Sequence, residues 1–183
     1  MMTRRPRPRR AGIAVLLWTM AVAAVVAADV RVTPLVADGQ VFASFTANDS
    51  YTREVQEAVE SGLPTTMTFV VELRQASVIW WDRTVTTVTV ASSIKYDSLT
   101  RAFQVSKMTD GRVISSESTN KEDDARKWAT EFERVKLSQG DTLEPNGEYY
   151  VRVRMRATPR RSFSLWPWGR DDATGRADFT FIR

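Results

Sequence analysis

Alternation of apolar and polar residues dominates the chain after residue 29. In residues 65 to 74, Met67, Phe69, Val71 and Leu73 share one face, while Thr66, Thr68, Glu72 and Arg74 share the other. That is the pattern of a strand with one buried and one wet side. Val30 and Val32 precede Pro34, and Val41, Ala43 and Phe45 repeat the spacing. Phe103 and Val105 do so again, then Tyr149, Val151, Val153 and Met155, and finally Phe179 and Phe181. Residues 78 to 90 are rich in β-branched and aromatic types. There the period slips between Val85 and Val88, which predicts a bulge near Thr86-Thr87. Asp38-Gly39, Asp110-Gly111 and Asn146-Gly147 tolerate positive φ and predict type I′ hairpin turns.

Two stretches switch to helical spacing. Asp49 or Ser50 caps the first, which places Tyr51, Val55, Ala58 and Val59 on one side and stops at Gly62, with Pro64 behind it. The second opens with Thr119 and Glu122 at capping-box spacing. Its acidic first turn, Glu122, Asp123 and Asp124, suits the helix dipole. Ala125, Trp128, Ala129 and Phe132 continue it at i, i+3, i+4 and i+7. Residues 158 to 175 read as a long loop. About eight strands over residues 29–183 make one domain. The expected class is mainly β: an antiparallel immunoglobulin-like β-sandwich with two short helices, preceded by an N-terminal hydrophobic helix. A half-open sheet with helices packed on one face is the alternative.

Residues 1–28 read as a signal peptide or an N-terminal membrane anchor, and residues 29–183 as the exported domain. Arg4, Arg5, Arg7, Arg9 and Arg10 form a positive start, and Ala11 to Ala28 carry no charge. Val26-Ala27-Ala28 suits signal peptidase, with cleavage after Ala28. Left uncleaved, residues 11–28 are long enough to span a bilayer, which takes about 17 residues or more. Both outcomes put the domain outside the cytoplasm, because the arginines stay within it. The expected location is the periplasm, free or anchored to the inner membrane. The surroundings of Arg9-Arg10 match the twin-arginine consensus poorly, and without Cys there is no lipoprotein attachment.

This segment changes the meaning of the charge. The chain has 183 residues and a formal net charge of +4, from 26 basic and 22 acidic groups. Five of the basic groups lie in the first ten residues, leaving 21 against 22 and a net of −1 for the rest. Nucleic acid is therefore not an expected partner. A 43% hydrophobic and 10% aromatic content argues against disorder. Cys and His are both absent, which excludes disulfides, thiolate or imidazole metal sites and triads needing an imidazole.

Three groups remain as candidate binding residues. Arg152, Arg154 and Arg156 alternate with Val151, Val153 and Met155 and line one strand face, and Arg160 and Arg161 follow. They read as an anion-binding surface or as a wet face paired with acids across the sheet. Trp80-Trp81-Asp82-Arg83 puts one indole, assigned to Trp81, outside for stacking on a sugar or peptide. The bland reading is two packing residues beside a solvated Asp82–Arg83 ion pair. Trp166 and Trp168 share a face if their stretch is extended, which suits a partner or membrane-interface contact, or a loop folded over the end of the sandwich. Catalysis has little to build on. Asp123-Asp124 belongs to a helix start and Asp171-Asp172 to a polar loop. The chain has no nucleophile elbow, Ser-x-x-Lys pair, phosphate loop or dinucleotide fingerprint. No catalytic residue, metal or cofactor is assigned.

Several segments carry a family resemblance. They are Gly62-Leu63-Pro64, Glu72-Leu73-Arg74, Trp80-Trp81-Asp82-Arg83 and the run Tyr96-Asp97-Ser98-Leu99-Thr100-Arg101 through Val105. Together these resemble the bacterial exported family known as domain of unknown function 4390. The resemblance implies an envelope protein with no assigned activity, no catalytic residues to carry over and a sensory accessory role. The expected function is a non-enzymatic cell-envelope protein that binds a protein partner or an anionic envelope component. The alternative is a periplasmic carboxylate-dependent hydrolase or carbohydrate-binding enzyme working near Trp80 and Trp81.

Overall fold

The computed structural model describes residues 30–77, 81–156 and 174–182. The protein is mainly β and antiparallel, with two α-helices among the described residues. Strands β1 (Arg31–Ala37) and β2 (Gln40–Thr46) form a hairpin. Helix α1 (Arg53–Glu60) leads to β3 (Thr65–Gln75), β4 (Arg83–Asp97), β5 (Ala102–Thr109) and β6 (Arg112–Thr119), a meander. Helix α2 (Glu122–Thr130) runs straight into β7 (Glu131–Gln139), and β8 (Glu148–Arg156) and β9 (Thr174–Thr180) follow. The strands form two sheets, of order β1-β2-β7 and β6-β5-β4-β3-β8-β9.

The sheets meet through the alternation read above. Phe45 of β2 stacks on Phe132 of β7, with ring centroids 4.8 Å apart. Phe69 of β3 meets both edge-on, at 5.4 and 5.5 Å. Three aromatic rings thus join the small sheet to the large one in arrangements their quadrupoles favour. Met67, Val71, Leu73, Val90, Ile94, Val151 and Val153 complete the buried layer. Both helices share this face of the large sheet. Val59 of α1 and Ala125 and Ala129 of α2 are fully buried, and the buried Ser92 hydroxyl donates to the Ala129 carbonyl at 2.6 Å.

The Asp38-Gly39 and Asp110-Gly111 turns have positive φ at both residues, as type I′ geometry requires. The Leu73↔Thr86 and Arg74↔Thr84 pairings leave Val85 extra, so the β4 bulge falls within a residue of the expected place. Helix α1 stops at Gly62, with φ +81, where Gly62 and Leu63 amides return to the Val59 and Ala58 carbonyls.

Several expectations need correction. Thr52 caps α1, accepting from the Val55 amide at 3.4 Å; Asn48–Ser50 is a separate 3-10 turn. Thr119 ends β6, and its hydroxyl accepts from the Lys121 amide, so there is no capping box at α2. Asn146-Gly147 is not a hairpin turn, because β7 and β8 belong to different sheets and only Asn146 has positive φ. Phe132 lies in a strand rather than the helix, and β7 itself was not expected. Its bulge explains why: between the Ala43↔Val135 and Phe45↔Phe132 pairings, Ser44 stands against both Glu133 and Arg134. The inward Phe132 and Val135 therefore stand three apart, which mimics a helical stripe. Arg134, at φ +49, occupies the bulge, and its amide donates to the Ser44 hydroxyl at 3.1 Å.

Candidate functional site

The outer face of β3, β8 and β9 gathers the charge that the inner face excludes. Register fixes the neighbours. Glu72 lies opposite Arg152, Arg74 opposite Tyr150, and Thr68 opposite Arg156. On the far side of β8, Arg152 faces Arg176 and Tyr150 faces Asp178. Directly opposed residues share a sheet face, so these side chains form one surface.

Glu72 is its centre. One carboxylate oxygen accepts from Arg152 Nε at 3.0 Å and from its terminal nitrogen at 2.6 Å. The other oxygen accepts from Arg154 at 2.7 Å. The Glu72 side chain is only 11% exposed, against 28% and 45% for its two partners. Burial alone pushes the carboxyl pKa up. Hydrogen bonding and charge from Arg152, joined by Arg154, outweigh that and hold it below the usual carboxylate range. Arg156 has no ion pair among the described residues. On this face of β3, β8 and β9, the five residues Arg74, Arg152, Arg154, Arg156 and Arg176 thus outnumber the carboxylates Glu72, Glu148 and Asp178 and the adjacent Asp82.

A second knot lies at the Tyr150 end. The Tyr150 hydroxyl donates to Asp82 Oδ2 at 2.7 Å. The Ser77 amide donates to Asp82 Oδ1 at 3.2 Å, and Arg74 donates to the Asp82 carbonyl at 2.9 Å. The Arg176 guanidinium lies over the Tyr150 ring, 3.8 Å from its centroid, a cation–π contact. The Tyr150 hydrogen bond, then that from Ser77, lowers the Asp82 pKa. Burial, then Asp82, raises that of Tyr150. Residue 82 is thus clamped at both main chain and side chain, while neighbouring Trp81 is 92% exposed. Asp82 and Arg83 do not form the expected ion pair, because Arg83 donates to Gln75 at 3.0 Å and Asp82 is taken by Tyr150.

The structure therefore brings Arg152, Arg154 and Arg156 onto one surface, and leaves Trp81 exposed next to Asp82, which Tyr150 of that surface holds. Arg152 and Arg154 are paired with an acid across the sheet, as the second reading of that stripe had it. Arg160, Arg161, Trp166, Trp168, Trp80 and the Ala28 junction lie outside the described residues. Tyr150, Arg176 and the bridging role of Glu72 had no local signal, because each depends on strand register. Asp123 and Asp124 stand in the first turn of α2, as expected.

The chain matches the family described as Domain of unknown function (DUF4390) over residues 25–161. It belongs to that family. The matched span covers both helices and strands β1 to β8, and with them Glu72, Trp81, Asp82 and the three β8 arginines. No curated protein and no solved structure matches the chain.

Proposed function

We propose that this DUF4390 protein is a non-enzymatic component of the cell envelope that binds an acidic partner through the outer face of β3, β8 and β9. The observation that carries the reading is the shared carboxylate. Arg152 and Arg154 both lean on Glu72, and Arg156 has no acidic partner among the described residues. The face keeps a surplus of guanidinium groups, which suit carboxylate or phosphate recognition by paired donors. Trp81, held out beside the clamped Asp82, adds an aromatic platform at one end.

Two features favour binding over hydrolysis. A glycosidase-type acid needs a raised pKa, and the carboxylates nearest Trp81 and the arginines, Asp82 and Glu72, are both lowered. Both are also occupied as acceptors by structural donors. The charge-free run 11–28 behind five arginines supports export, with the domain free or anchored in the periplasm, and a sensory accessory role fits that place. The two facing sheets support an immunoglobulin-like sandwich as the finer description of the fold.

Photo-crosslinkers placed at residues 81 and 68 of the full-length chain, in cells, test the proposal, since Thr68 lies opposite Arg156 on the same face. Both are expected to capture the same envelope partner, and Arg156→Glu with Arg154→Glu to abolish capture. Fractionation of the same cells should return the chain with the envelope. Capture that survives the charge reversals, or two unrelated sets of neighbours, overturns the reading.

A further inference from the structure

Two sheets with free ends have four edges, and three of them are blunted. The start of β1 packs so closely on β9 at Gly175 that a Cβ there would overlap the Val30 carbonyl and stand 2.8 Å from Val32. Pro34 interrupts the donor row of β1. On β7 the Arg134 bulge breaks the line, and Lys107 already donates to the Glu131 carbonyl at 2.8 Å. Among the described residues nothing covers strand β6, and its one irregularity is an extra residue, Ile114, against β5. It pairs only with β5, contains neither Pro nor Lys, and exposes six of its eight residues. Val113 and Ile114 are 63% and 64% exposed. An unpaired apolar edge of this kind is a template for another strand.

We infer that β6 is a self-association edge, pairing antiparallel with β6 of a second copy so that Arg112 of each chain meets Glu117 of the other. Neither residue has an ion partner among the described residues. In that register Val113 lies opposite Ser116 and Ile114 opposite Ser115. Antiparallel partners must share a face, and residues five apart in a regular strand do not. The β6 bulge removes this objection. Lys107↔Ser115 and Met108↔Val113 leave Ile114 extra, which restores matching faces on either side of it. Glu117 opposes the inward Val105, and Arg112 opposes Thr109, which lines the same groove as Glu117 and Lys107. Both ends of the salt bridge therefore lie on the inner face. Val113 and Ser116, opposite Met108 and Ser106, share the outer one. The isologous contact joins two six-stranded sheets into one and satisfies both charges.

The chain has no cysteine, so introduced thiols report the contact without background. Full-length Val113→Cys and Ser116→Cys variants, differently tagged, are co-expressed and treated with a mild oxidant. A disulfide dimer is expected between the two variants, several-fold above either variant alone, since like positions are offset by about 10 Å along the strands. Adding Glu117→Arg to both is expected to abolish the crosslink. Adding Arg112→Glu together with Glu117→Arg is expected to restore it, which also shows that the chains fold. No crosslink in the mixture, equal crosslinking of each variant with itself, or failure of the charge swap to restore the bond overturns the inference.

Discussion

Strands β3 and β8 present two faces to two different environments. Inward, Phe69, Val71, Leu73, Val151 and Val153 are fully buried in the apolar core that joins the two sheets. Outward, the same strands carry Glu72, Arg74, Tyr150, Arg152 and Arg154, joined by hydrogen bonds of 2.6 to 3.0 Å. The inner face gains from burial, which is non-directional and sums over area. The outer face gains less, because exposed ion pairs are screened and, among its paired charges, only Glu72 is well desolvated. Its value is specificity of position: charges at fixed spacing on a sheet, with exposed Trp81 next to the clamped Asp82. Fold and binding are therefore separable by mutation, one residue apart.

The largest expected effect is on the inner side. Phe69→Ala removes the ring that joins both sheets and should cost about 3–5 kcal/mol in denaturant unfolding. Glu72→Gln should act in two directions. Stability falls by about 1–3 kcal/mol as two arginines lose a charged acceptor, while affinity for an acidic partner rises because an internal competitor is gone. Unfolding curves and partner titrations on one preparation check both. The same carboxyl sets a pH dependence. Its folded pKa is depressed, so its contribution is present above the unfolded carboxylate value, about 4.3, and is lost as pH falls through the folded one. Stability of the Gln variant should change less over that acid range.

Tyr150→Phe is expected to cost about 0.5–1.5 kcal/mol by deleting the bond to Asp82. It should also loosen the Trp81 segment, read as a lower fluorescence anisotropy of that indole when other tryptophans are unchanged. Arg156→Glu should shift stability by no more than about 0.5 kcal/mol, yet lose the crosslinked partner. If it unfolds the protein instead, the separation of the two faces is wrong.

Much of the fold was legible because it depends on neighbours in the chain. Alternation marks β3 and β8, Asp-Gly marks two hairpins, and Gly62 ends α1. The failures share a cause. The Arg134 bulge sets Phe132 and Val135 three apart, so β7 lacks the period of two that marks a strand, and Phe132 at its start extends the helical spacing of α2. Asn146-Gly147 has hairpin chemistry, but its flanking strands go to different sheets, a choice made by long-range packing. For the site, the arginine stripe was visible from its period of two, and an outside indole from its position beside a second tryptophan. That Glu72 would sit between Arg152 and Arg154, or that Tyr150 would hold Asp82, was not, because these partners are 68 to 82 residues apart.

The sequence by itself determined which faces are apolar, where most turns fall and that five arginines explain the formal charge. These follow from local sterics and from the period of each strand. Only the tertiary structure decided which acid neutralises which arginine and which sheet edge stays open. Register and sheet order set those, through contacts between segments far apart in the chain.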